Sequence, residues 1–193
     1  MAIYFLDHSS IGKSTHAKRT AGTHVRYITR PSACADLLGE RMPVDRLETR
    51  RWLDDREKSL RKNARVADKI LIALPRELHP LQRAHLVKRF CEKLTQGVAP
   101  WFAAIHQTGS DKNNPHAHIV IHDWNLETGR KVIKLSSKGS TLRLRSLWGD
   151  EINFALTKLG RKEKLTHRRL KSQNSTVPSL KVRTYTSQAM CAN

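Results

Sequence analysis

Residues 113–123, NNPHAHIVIHD, alternate apolar and polar positions. Ala117, Ile119 and Ile121 fall on one side, and His116, His118, Val120 and His122 on the other. Side chains of a strand alternate between its faces, so the segment predicts a strand over 116–124 with one face built for a core. WFAAIH (101–106) predicts its partner, and the polar, turn-rich QTGSDKNNP (107–115) between them predicts a hairpin loop. The apolar run KILIALP (69–75), bounded by Pro75, predicts a buried strand, and AIYFLD (2–7) predicts another.

Helical spacing appears elsewhere. Ala17, Ala21, Val25 and Ile28 form a stripe, predicting a helix from Ser14 or Thr15, both good N-caps, to about Arg30, before Pro31. A charged helix is expected over 47–64. Pro80 opens another to about Gln96, with Leu81, Ala84, Val87, Cys91 and Leu94 on one side and Leu86 and Phe90 widening it. A last helix is expected over 141–159, followed by a basic segment at 162–173. Residues 31–46 carry no regular pattern, and 174–193 predict a disordered C-terminal tail behind one domain of residues 1–173. The fold class expected is α/β: a single central, largely antiparallel sheet with helices packed on it and the histidine hairpin within it.

Charge narrows the partners. The chain of 193 residues carries 36 Lys and Arg against 17 Asp and Glu, a formal charge of +19. Cations spread along the whole chain favour a polyanion, since phosphates neutralised by Lys or Arg release counterions. Cys34, Cys91 and Cys191 are too scattered for a disulfide framework or a zinc finger. No cleavage-like region follows MAIYFLDHSSIGKS, and no apolar run approaches the ~20 residues of a membrane helix. A cytoplasmic protein, not inserted in a membrane, is expected.

The hairpin gives the histidines a geometry. With 107–115 as the loop, His106 lies opposite His116, Cβ atoms about 5 Å apart, and His118 follows on the same face. Three imidazoles on one point make a metal site with open positions. His122 shares the face but lies about 13 Å further along, too far to join. IGKST (11–15) is not a phosphate-binding loop, because the position of its first glycine holds Asp7.

A metal on a basic protein suits phosphodiester chemistry with a protein nucleophile. The tyrosines are Tyr4, in the first expected strand; Tyr185, in the expected tail; and Tyr27, off the apolar stripe between Arg26 and Arg30, with Arg19 two turns earlier. Guanidiniums beside a phenol favour phenolate and bind phosphate. On the residues alone, a helix tyrosine covering the edge of the core fits Tyr27 as well. Arg19, Arg26 and Arg30, with Lys138, Arg143 and Arg145 of KGSTLRLR, are the candidate DNA-binding cations.

MAIYFL at the start, HVRYITR around Tyr27, IALPREL at 72–78 and IHQTGSDKNNPHAHIVI at 105–121 resemble, in order and spacing, the MobA/MobL mobilisation relaxases; HRRL at 167–170 is a weaker match. The resemblance spans roughly residues 1–173. It implies an endonuclease that nicks one strand of plasmid DNA at an origin of transfer, leaving a 5′-phosphotyrosine and a free 3′-hydroxyl, and later reseals it. Tyr27 is then the nucleophile, and His106, His116 and His118 hold a divalent ion, magnesium or manganese first, zinc or nickel as alternatives. Implied partners are single-stranded origin DNA, accessory relaxosome proteins and a coupling and secretion system. Some relatives carry an acidic ligand where this chain has Lys69; either Asp68 beside it substitutes, as an extra ligand or a partner orienting one, or the site uses the three histidines alone. Alternatives left open are a rolling-circle or transposition nickase of the same superfamily and a non-catalytic DNA-binding autorepressor.

Overall fold

The computed structural model describes residues 4–108, 111–162 and 164–166. Along the chain run β1 (Leu6–Gly12), α1 (Thr20–Ile28), β2 (Cys34–Glu40), α2 (Arg46–Ser59), β3 (Arg65–Ala73), α3 (Pro80–Leu94), β4 (Trp101–His106), β5 (His116–Ile121) and α4 (Ser140–Lys158). The strands form one sheet in the order β1-β3-β5-β4-β2, every neighbouring pair antiparallel. This is the α/β class the patterning predicts. The expected tail at 174–193, HRRL and Tyr185 lie outside the described residues.

Both faces of the sheet are covered. On one, Leu86 and Phe90 of α3 and Leu144, Trp148 and Ile152 of α4 pack over Ile72, Trp101, Ile105 and Ile119. Phe90 meets Trp148 edge to face at 5.1 Å. Burying each such side chain is worth about 1.5–3 kcal/mol. On the other face, Ala21, Val25 and Ile28 of α1 and Leu53 of α2 pack over Phe102, Ala104 and Val120. The histidine side of β5 is therefore core at Val120 and site at His116 and His118.

Local chemistry sets the ends of the helices. The Asp45 carboxylate accepts from the amides of Leu47 and Glu48 to start α2, and Pro80 takes the first turn of α3, where its missing N–H costs nothing. Helix α1 is shorter than the expected 14–30. Arg19 stands before it in the left-handed region (φ 63°), and residues 14–19 form turns, so neither Ser14 nor Thr15 caps it. Two strands depart from expectation. β1 runs on through HSSIG, and β2 lies within 31–46, where no element was expected. Each pairs on one side only and leaves Asp7, Ser9, Ala35 or Asp36 exposed, so neither needs a buried alternation.

Candidate metal centre and nucleophile helix

Antiparallel partners share a face of the sheet, and β4 pairs with β5 so that His106 lies opposite His116 and Ala104 opposite His118. All three imidazoles therefore project from the face covered by α1. Their ring centroids stand 4.9 Å (His106–His116), 4.8 Å (His106–His118) and 5.2 Å (His116–His118) apart. One ring nitrogen from each lies within 4.8 Å of the others.

Hydrogen bonds orient two of the rings. His106 Nε2 lies 2.6 Å from the carbonyl oxygen of Ile28. A carbonyl only accepts, so Nε2 carries the proton and Nδ1 keeps its lone pair. That Nδ1 is buried and has no hydrogen-bond partner. His116 Nδ1 likewise lies 2.8 Å from the Asn114 carbonyl, leaving Nε2 as its lone-pair nitrogen. Burial holds His106 below the usual histidine range, and holds His118 down to about 2, with His106, His116, His24 and Arg30 adding to the effect. Neutral imidazoles with free, converging lone pairs and fixed outer N–H groups are what a divalent metal binds. The donor set fits the ion.

Helix α1 closes one side of this cluster. Its last turn supplies the Ile28 carbonyl, and one turn earlier the ring of His24 lies edge-on to His118 at 6.3 Å. Tyr27, between them in sequence, is 46% exposed, and the Arg30 guanidinium lies over its ring at 4.5 Å while donating to its backbone carbonyl at 3.2 Å. Arg26 is exposed on the same helix. Arg19 stands at the far end of α1, where its amide donates to Glu57.

Other candidates fall elsewhere. Asp68 pairs with Ile121, which packs against α3 and α4, so its side chain lies on the opposite face of the sheet from the histidines. There Oδ1 takes hydrogen bonds from His8 at 2.7 Å and Arg65 at 2.6 Å. The expectation of Asp68 as substitute ligand is corrected: it is one residue out of register, and period-two alternation turns it away. Lys138 just precedes α4, and Arg143 and Arg145 lie in its first two turns; α4 packs with α3 behind the sheet. Arg143 hydrogen-bonds there to Ser137 and to the Lys138 carbonyl. They do not join the α1 arginines around one site. Tyr4 also faces that side: its hydroxyl donates to the Arg145 carbonyl at 2.8 Å, and burial pushes it up to about 12. His122 stays out of the cluster. Its amide donates to the Pro100 carbonyl at 3.0 Å, its Nδ1 lies 2.8 Å from the Val66 carbonyl, and its ring meets Trp52 edge to face at 5.4 Å.

Two residues at the site escape sequence reasoning. His24 reads as an ordinary polar position beside the α1 stripe, although it stands one helical turn before Ile28. Asp111, in the hairpin loop, brings a carboxylate oxygen to 3.8 Å from His106 Nδ1.

Comparison with known proteins converges on one group. A family model described as MobA/MobL matches residues 37–190, a span that includes the three histidines and begins after Tyr27. Mobilization protein A of Escherichia coli is 29% identical over 135 residues, 58% of this chain and 19% of that protein, so the chain spans about a fifth of that relative's length. Among solved structures, the one described as the molecular basis of vancomycin resistance transfer in Staphylococcus aureus superposes with a TM-score of 0.67 at 21% identity, covering 87% of this chain and 100% of the other. The metal-bound conjugative relaxase TrwC in complex with oriT DNA superposes at 0.59 with 13% identity, over 84% of this chain and 73% of that one. These likenesses show a shared fold. Among the described residues no helix is long and apolar enough to cross a membrane.

Proposed function

Because the chain belongs to the MobA/MobL family, we propose that it is a relaxase: a site- and strand-specific enzyme that nicks and rejoins DNA at an origin of transfer to start plasmid mobilisation. The observation that carries the reading is the histidine cluster, tied through Ile28 to the helix that bears the only described tyrosine beside it. His106 through Nδ1, His116 through Nε2 and His118 would hold a divalent ion, magnesium or manganese before zinc or nickel. When bound, such an ion would supply Lewis-acid stabilisation of the charge on the scissile phosphate.

The protein's own groups supply the rest. The Tyr27 phenol loses its proton and its oxygen bonds to phosphorus as the bond from phosphorus to the 3′-oxygen breaks. The departing oxygen takes up a proton as a free 3′-hydroxyl, and the reverse exchange reseals the strand. Arg26 and Arg30 bring fixed positive charge to the DNA backbone on either side of the nucleophile. The Ile28 carbonyl holds the His106 ring in one orientation and one tautomer. Partners consistent with this role are single-stranded origin DNA, accessory relaxosome proteins and a coupling and secretion system.

The direct test is incubation with Mn²⁺ and single-stranded oligonucleotides spanning a candidate origin, resolved on a denaturing gel. A covalent protein–DNA adduct is expected from the native chain. None is expected from Tyr27→Phe, whose DNA affinity should be nearly unchanged because the phenol oxygen supplies chemistry and the arginines supply binding. An adduct surviving in Tyr27→Phe would assign the nucleophile elsewhere.

A further inference from the structure

Alternation puts a lysine on the histidine face. Lys69 of β3 pairs with Val120 of β5 and with Ser9 of β1, and its neighbour two residues on, Leu71, pairs with His118. Lys69 therefore stands one pleat from His118, about 6.7 Å along the strand, on the same side of the sheet. It is half-buried. Asp7, which pairs with Leu71, is the carboxylate of that face nearest to it by register, and the two form no ion pair. Beside Lys69, across the cluster's rim, lies the ring of His24 against His118. Among the described residues neither the Lys69 ammonium nor a His24 ring nitrogen has a hydrogen bond or an ion pair. Lys69 by register and His24 by ring contact thus both neighbour His118. Beyond them the sheet is open, because Asp7 and Ser9 of the edge strand are exposed.

Lys69, half-buried along its stem and without a protein partner among the described residues, is available to an arriving anion. A lysine is a point-charge binder of phosphate, and a neutral imidazole N–H can donate to the same group. We propose that Lys69 and His24 form a phosphate-binding subsite beside the histidine cluster, holding a backbone phosphate of the DNA strand as it crosses the open strip between α1 and β1. The subsite rests on the relaxase reading, since that supplies the strand. It also gives Lys69 a role of opposite sign to an acidic ligand at the same position: it adds charge for the substrate and gives none to the metal.

The test uses the full chain carrying Tyr27→Phe, so that DNA stays intact, loaded with Mn²⁺ and titrated with a fluorescein-labelled single-stranded origin oligonucleotide at several salt concentrations. Lys69→Gln should flatten the slope of log affinity against log salt by about 0.7, one phosphate contact on single-stranded DNA, and Lys69→Arg should restore it. His24→Phe keeps a ring against His118 but donates nothing, and should weaken DNA binding about fivefold, the value of one hydrogen bond. Titration of Mn²⁺ without DNA should give the native affinity in Lys69→Gln. A slope unmoved by Lys69→Gln overturns the subsite; so does lost Mn²⁺ affinity, which would mean that Lys69 acts through the histidines. Should Lys69→Gln not fold, Lys69→Met carries the same expectations. Failure of the underlying reading shows separately, as a native chain that binds no Mn²⁺ or as His118→Ala binding it undiminished.

Discussion

His118, His106, His24 and His122 are all held below the ordinary histidine range by burial, His118 to about 2 and His24 to about 4. In the unfolded chain each titrates near 6.5, so between that value and the folded pKa the unfolded state binds more protons. The stability they contribute is whole above about pH 6.5 and is lost as pH falls toward the folded values, by up to about 1.4 kcal/mol per pH unit for each histidine. Urea unfolding of the metal-free protein should therefore give a lower free energy at about pH 5.5 than at about pH 7.5, and His118→Gln should reduce the difference. His122 separates position from residue type. Its ring is buried against Trp52 and bonded to the Val66 carbonyl, so His122→Ala should cost about 1–3 kcal/mol of stability. Mn²⁺ affinity, read by calorimetry, should stay within about threefold, less than ~0.7 kcal/mol, whereas His116→Ala should lose it. A His122→Ala protein that folds normally but fails to bind Mn²⁺ would contradict this placement.

Among the elements, β1 and β3 are joined by a polar clasp as well as by their ladder. Asp68 is fully buried on β3, and its Oδ1 receives His8 of β1 and Arg65 of its own strand. Asp68→Asn should lower the unfolding free energy by about 1.5–3 kcal/mol, the worth of hydrogen bonds to a charged group, without moving Mn²⁺ affinity. A loss of metal binding equal to that of His116→Ala would place the carboxylate on the wrong face. Asp68 also marks where sequence reading stops. The β4–β5 hairpin was legible because its alternation is apolar on one face and its loop is rich in turn residues, which together fix His106 opposite His116. α3 was legible from Pro80 and from its wide apolar stripe. The first residues of β3, Arg65–Asp68, looked unlike strand because their charges are satisfied by one another and by β1, a fact carried by register. β2 has no buried residue at all, and its pairing with β4 is visible only in the assembled sheet. His24 and Lys69 reach the site through the packing of α1 and the face of β3, neither of which leaves a mark in spacing.

Across the whole molecule the described basic side chains fall on both sides of the sheet. Arg26 and Arg30 lie with Tyr27 on the histidine side, and Lys138, Arg143 and Arg145 lie behind it with α4. Binding to single-stranded DNA should be steeply salt-dependent, and Arg26→Ala should flatten the log–log slope by about 0.7. Arg143→Ala should leave the slope as it is, and an equal effect of both would mean that the strand wraps to the far face. The strand order has a further consequence, for the order of folding. β1 and β2 follow one another in sequence yet form opposite edges of the sheet, so the segment between them, with α1, must cross about four strand spacings, roughly 19 Å. The β4–β5 hairpin closes over a short loop, whereas seating α1 waits on contacts remote in sequence at both edges, which are slower to form. A chain finding its native state should bring its three histidines together first and seat the helix that carries Tyr27 against them last.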